Sequence, residues 1–389
     1  MDARSARSQL SDQGALLAVL RSTPGEHAAA LLATPAMVSA PARGAVSYVV
    51  TMVALAGVLV ALGLAGLMFG SVQIPAPAAL GVIVNAVLGS EIIPATWRAV
   101  YQIIIIETRV PRVILAGVVG ATLAATGMII QAIVRNPLAG PGILGVSSGA
   151  ATGAVLVMRW GLVGLGPFTL YFSAFAGALV TLAIVFWVAR AGGHMTPTRL
   201  VLAGIAMSSV LSAVTSLLVL TSPDPQLAAR VLFWTLGGFG AAQWKLLPVP
   251  IIALMIGLGL MLLQARRLNL LMAGDESAAA LGLDVHRFRQ TMFVLTAALT
   301  GIMVAVSGVI GFVGLIVPHM VRFVVGADHR RALPAVALVG ASFTIGADLV
   351  ARTVISPLEL PVGIITALVG GPFFIWLLRR DSRNGGPQA

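Results

Sequence analysis

Residues 109–138 read RVPRVILAGVVGATLAATGMIIQAIVRNPL, and this stretch decides what kind of chain it is. No charged residue occurs between Arg112 and Arg135, an interval longer than the roughly 20 apolar residues an α-helix needs to cross a bilayer core. Asn136-Pro137 then marks a turn.

Comparable runs recur outward from this one, from Ser47 almost to the C-terminus. The whole chain is 58% hydrophobic and 10% charged, against roughly 25% charged in a soluble domain. The expected fold class is an all-α integral membrane protein of about ten transmembrane helices. Spans fall near residues 46–70, 110–132, 142–158, 169–189, 199–220, 246–265, 290–306, 308–325, 333–350 and 361–378. The membrane domain is thus 45–380. Residues 1–44, with Arg4, Arg7, Arg21 and Arg43 among polar residues and no small-residue cleavage site, are expected to be a mobile cytoplasmic tail, and 381–389 a second one. An even number of spans puts both termini on one side. If that side is the cytoplasm, 17 of the 24 Lys and Arg residues face it and 7 face away, the asymmetry that orients membrane proteins.

Several functions are disfavoured by composition. The net charge of +11 sits in loops between apolar runs, where it sets orientation and does not mark nucleic-acid binding. There is no cysteine, so disulfides and thiolate metal sites are excluded. His27, His194, His286, His319 and His329 show no ligand spacing, and no metal site is expected. His319 follows Pro318 and reads as a packed polar neighbour of a kink. The one lysine, Lys245, follows Trp244 and not a glycine loop, so no P-loop can hold nucleotide. No catalytic residue is expected. A proton- or sodium-coupled transporter would need an ionisable group near mid-membrane, and Glu107, Asp348 and Glu359 all fall near span ends. An intramembrane enzyme would need paired carboxylates or a nucleophile with a base, which the spans lack.

Small residues organise the spans. Gly145, Gly149 and Gly153 lie four apart and read as a close-packing helix face. Ser208, Ser212 and Thr215 recur at helical spacing and either pack or line a pathway. After the fifth span, Pro223-Asp224-Pro225 breaks the helix; a short periplasmic helix follows over 226–236 and stops at Gly237-Gly238.

The motif of residues 109–150 resembles the permease family of bacterial ABC importers for iron-siderophores, haem and vitamin B12 (type II importers). GFVGLIVPHMVR at 311–322, DHRR at 328–331, GADLVAR at 346–352 and ELPVG at 359–363 match the same family in order. The likeness covers about residues 46–380. It implies a homodimer around a central path in the bacterial inner membrane, two cytoplasmic ATPase subunits that carry ATP and Mg, and a periplasmic substrate-binding protein. No cofactor is expected to be resident in the chain itself, and lipid surrounds it.

The resemblance also implies roles for residues. Arg109, Arg112 and Arg352 fall at external span ends and would dock acidic residues of the binding protein. The polar loop 268–289 would be the element that receives the ATPase, with Glu276, Ala279, Leu281, Gly282 and Leu283 in contact. Asn136 and Leu138 would help close the cytoplasmic end of the path, with Thr196-Pro197-Thr198 as the other gate, and Ser208, Ser212 and Thr215 are the candidate path residues. In LFWTLGGFG at 232–240, FWT resembles haem importers and GGFG vitamin B12 importers. Haem is the first choice of transported substrate, with a ferric siderophore or cobalamin as the alternative.

Overall fold

The computed structural model of this protein describes residues 45–89, 92–190 and 197–383. The expected tail 1–44, Thr196 and residues 384–389 lie outside them. Throughout the described residues the backbone forms helices and turns, as a hydrocarbon environment demands: without water, each N–H and C=O must be satisfied within the protein.

The chain runs α1 (Ala45–Met68), α2 (Ala76–Leu88) and α3 (Ala99–Ile103), and a π-helical turn at Ile104–Arg109 carries α3 straight into α4 (Val110–Val134). A 3-10 turn at Pro141–Leu144 precedes α5 (Val146–Trp160), then α6 (Thr169–Arg190) and α7 (Pro197–Leu220). Next come α8 (Leu227–Leu236), α9 (Pro248–Leu263), α10 (Ala265–Met272) and α11 (Asp275–Ala280). The last four are α12 (Val285–Ser307), α13 (Val313–Val325), α14 (His329–Thr353) and α15 (Val362–Arg383).

Seven helices among the described residues are long and apolar enough to cross a membrane. At the other three expected positions stand shorter or more polar helices, α5, α13 and α15. Two features depart from the sequence expectation. The second span begins at Ala99, not near residue 110, because a π-turn absorbs Ile104–Arg109 without breaking the rod. The segment before it also holds α2, opened by proline and closed by Gly89 in the left-handed conformation, which is too short to be read as a span.

The rod Ala99–Val134 is the axis of the bundle: 78% of its most apolar window is buried, against 6% for α1 and 11% for α7. A helix that is apolar all round and buried all round needs neighbours on every side, and α4 admits them through small residues. A Cβ on Gly127 would strike the backbone of Gly314 at the start of α13, and one on Gly120 would strike Thr344 and the Gly340 carbonyl of α14. The contact is polar as well as close, since Thr344 Oγ1 donates to the Ala116 carbonyl at 2.7 Å. The expected glycine face on α5 is present in part. Gly149 and Gly153 abut Gly177 and Ser173 of α6, whereas Gly145 lies before the helix, at φ +75.

These contacts predict that Gly127→Leu costs about 1–3 kcal/mol or more through overpacking. The expected result is a clear fall in the melting temperature in detergent. Gly57→Leu, whose Cβ meets open space on α1, leaves it unchanged; equal melting temperatures for the two variants would refute the packing account.

Candidate functional site

Two ends of the bundle carry the polar chemistry. At the first, Arg109, Arg112 and Arg352 meet, but they are not the exposed set expected from the sequence: they are 4%, 6% and 2% exposed. Their partners lie inside the chain. Arg112 Nε and Nη2 reach Asp348 at 3.0 and 2.9 Å, and its Nη1 donates to Glu359 at 2.7 Å. Arg352 Nε lies 3.0 Å from the other Asp348 oxygen, near enough to pair by charge, and its Nη2 donates to the Gly66 carbonyl at 3.1 Å. Arg109 donates to the carbonyls of Leu67, Met68 and Val72.

The carbonyls of Gly66, Leu67 and Met68 belong to the last turn of α1, which has no intrahelical donors left for them and holds the negative end of the helix dipole. Two arginines from other helices therefore cap α1, and the Asp348 carboxylate holds α4 to α14. Glu359, in the loop before α15, closes the set by accepting from Ser71 Oγ at 2.7 Å. Burial pushes its pKa up, but the hydrogen bonds from Arg112 and Ser71 and the charges of Arg112 and Arg352 outweigh that and hold it below the ordinary value of 4.5. Arg109, Arg112 and Arg352 thus all have partners inside the chain. They are committed to intrachain partners because unpaired guanidinium charge cannot be left in a dry bundle.

At the opposite end lies the polar loop 268–289, folded as α10, α11 and the turn into α12. Of the named contacts, Glu276, Ala279, Leu281 and Gly282 are exposed, and Leu283 packs half-buried against the core. The loop is anchored: Ala278 is fully buried, Asp275 is bound by Arg289 and Arg135, and Asn269 bonds Asp328 at 2.7 Å and His329 Nδ1 at 2.7 Å. An exposed helix on a fixed base can take a push from outside without folding away from it.

Between the two ends, a cavity of about 270 Å3 is lined by Leu138, Pro141, Ser147, Thr300, Phe312 and Leu315. Leu138 is thus on its wall, while Asn136 sits outside in an exposed turn and accepts from the Leu138 N–H at 2.8 Å. Thr198 is exposed near the start of α7 and is not on that wall, and the side chain of Pro197 lies outside the described residues. Phe312 holds a left-handed backbone at φ +67 between α12 and α13, a strained state for a non-glycine residue. Its ring fills the space that a Cβ on Gly370 would need.

The candidate path stripe splits. Thr215 bonds Thr152 of α5 at 3.0 Å and so packs, Ser208 is half-buried, and Ser212 is exposed. A second cavity, of about 360 Å3, opens at the arginine end between Tyr171, Phe233, Trp234, the 237–241 turn and Glu359. His319 packs edge-on against Phe323 and Phe373, as a bundle residue does.

Sequence reasoning gave no role to Asp348, Glu359, Gln131 or Asp275. For Asp348 a signal was available, since it stands four residues before Arg352 and is therefore on the same helix face. Gln131 bonds the Leu315 carbonyl at 3.2 Å and accepts from Arg322 at 2.7 Å, joining α4 to α13. A lone glutamine in an apolar run gives no such hint.

Compared with known proteins, residues 32–380 match the model of the FecCD transport family. The hemin transport system permease protein HmuU of Yersinia pestis is 46% identical over 285 residues, covering 72% of this chain and 85% of the relative. The cobalamin import system permease protein BtuC of Halobacterium salinarum is 43% identical, covering 72% of this chain and 74% of the relative. The Fe(3+) dicitrate transport system permease protein FecD of Escherichia coli is 40% identical, covering 74% and 92%. A solved inward-facing structure described as a metal-chelate type ABC transporter superposes with a TM-score of 0.73 at 34% identity, covering 85% of this chain and 98% of the other.

The arginine end sets a graded expectation. Asp348→Asn removes the carboxylate that Arg112 and Arg352 share, leaving Arg352 without a direct counter-charge and Arg112 with Glu359 alone, and costs about 3–5 kcal/mol. Glu359→Gln, at a half-exposed position, costs much less but alters the pH response. The Glu359 contribution is full above its ordinary pKa and is lost as pH falls through the lower value of the folded protein. Melting curves between neutral and acidic pH should therefore show an acid limb that is shallower in Glu359→Gln. Identical limbs would contradict the Arg112–Glu359 bond.

Proposed function

Because this chain belongs to the FecCD transport family, we propose that it is the membrane-crossing permease subunit of an ABC importer, driven by ATPase subunits on other chains. The observation that carries this is the match over 32–380, which takes in both polar ends and the cavity between them. In this reading the chain crosses the bacterial inner membrane ten times, counting α5, α13 and α15. Both termini and loop 268–289 face the cytoplasm, and the arginine end faces the periplasm. Loop 268–289 sits on the face that the charge asymmetry assigns to the cytoplasm.

The chain works as a homodimer. The sparse burial of α7, together with exposed Ser212 on a span that otherwise faces outward, suits a second copy across a polar path better than lipid alone. Two ATPases seat against Glu276, Ala279, Leu281, Gly282 and Leu283, and Asn136, Leu138 and Thr196-Pro197-Thr198 close the cytoplasmic end. Arg109, Arg112 and Arg352 serve the docking of a periplasmic binding protein indirectly, by holding the ends of α1, α4 and α14 in register beneath the surface.

Haem is the proposed cargo. HmuU is named for hemin, and the FWT run sets Phe233 and Trp234 on the wall of the outer cavity beside Tyr171, aromatic surface suited to a flat macrocycle. The complete complex, reconstituted with its binding protein, should hydrolyse ATP faster with haem than with a ferric siderophore or cobalamin. Stimulation by cobalamin or siderophore alone would replace haem by that ligand.

The ATPase seat has its own test. Gly282 holds φ +84, where any side chain strains the backbone, so a substitution there confounds fold with binding. Ala279 is exposed on α11. Ala279→Trp should therefore keep the melting temperature and abolish copurification of the ATPase; normal copurification would remove α11 from the interface.

A further inference from the structure

Asp275 is the first residue of α11, and its carboxylate is gripped from two sides. Arg289 of α12 donates to it with both terminal nitrogens, at 2.8 and 2.9 Å. Arg135, the residue that ends α4, reaches the same carboxylate at 3.4 Å. The Arg289 side chain is 13% exposed and that of Arg135 47%, so one grip is short and sheltered and the other long and solvated. Asp275 is thus tied firmly to α12, and Arg135 is the looser link.

What Arg135 leads to gives the link its meaning. Its backbone is left-handed, at φ +57, and starts a tight turn. In that turn Asn136 N–H donates to the Gln131 carbonyl at 3.2 Å, Leu138 N–H to Asn136 Oδ1 at 2.8 Å, and Ala139 N–H to the Asn136 carbonyl at 3.1 Å. A turn bonded in this way moves as one piece. Leu138, Gly140 and Pro141 on its far side form part of the wall of the 270 Å3 cavity.

We propose that Asp275 and Arg135 form a charge clasp that passes displacement of α11 to the turn Asn136–Leu138, and so to the inner wall of the cavity. This rests on the reading of α11 as the ATPase seat and assigns the direction of transmission, from α11 through a carboxylate to the end of the central rod. Arg135 is a positioning residue: it touches neither cargo nor nucleotide. A lysine there keeps the charge and part of the reach, whereas asparagine tolerates the left-handed backbone but drops the charge.

The test measures ligand delivered per ATP hydrolysed in the complete reconstituted complex, using the ligand that stimulates the parent. Arg135→Asn should leave the ATPase bound and hydrolysing while the ratio falls severalfold, and Arg135→Lys should recover most of it. If asparagine lowers the folded yield, Arg135→Gly, suited to the same backbone, carries the same expectation. A parental ratio in Arg135→Asn, or equal loss in Arg135→Lys, overturns the clasp. Failure of the ATPase seat is distinct: there Ala279→Trp would still copurify the ATPase, whatever Arg135 does.

Discussion

The last turn of α1 leaves carbonyls without intrahelical donors, and arginines borrowed from the π-turn and from α14 complete it. Much of the arrangement at that end follows from this constraint. Of the two borrowed arginines, Arg109 is held by carbonyls alone, while Arg352 pairs with Asp348, which it shares with Arg112. Once Asp348 is placed, α4 and α14 are locked side by side, and the glycine contact between Gly120 and Gly340 becomes both possible and required. Charge pairing and close packing thus specify the same helix pair.

The central rod then connects chemistries of different character. Near its start Arg109, Arg112, Asp348 and Arg352 are buried and paired or bonded within the chain, which makes a stiff rim. At its far end the Arg135–Asp275 pair is solvated on both sides, and an exposed pair of this type contributes only about 0–1 kcal/mol. In the proposed transport cycle, a weak link suits the end that receives the ATPase, and strong ones suit the opposite rim. The strained Phe312 and the 270 Å3 cavity lie between them, where α13 starts against the middle of α4.

Much of this was legible in the residues. Uncharged runs locate the helices because a bilayer tolerates little else, and the break at Pro223–Pro225 locates α8. The exposed part of loop 268–289 follows from its polarity. What stayed hidden depends on pairing across long sequence separations. Arg112 and Asp348 are remote in the chain, and an arginine at a span end reads from sequence as a docking group. The fold adds what the sequence does not carry: Arg109 and Arg352 cap α1, and Arg112 pairs with Asp348. The helix α2 and the early start at Ala99 were hidden for a simpler reason: their apolar residues are too few, or too interrupted by Glu107 and Arg109, to match a spanning template. Ser208, Ser212 and Thr215 share a spacing but not an environment, which periodicity alone does not reveal.

At the centre of the account is the proposal that this chain is moved by partner subunits and does no chemistry of its own. The direct measurement is nucleotide turnover by the purified chain alone in proteoliposomes, compared with the same vesicles after its cognate ATPase subunit is added. The account requires no hydrolysis and no ligand uptake before the addition, and both afterwards. ATP hydrolysis by the isolated chain, or uptake driven by an ion gradient without the ATPase, would contradict it.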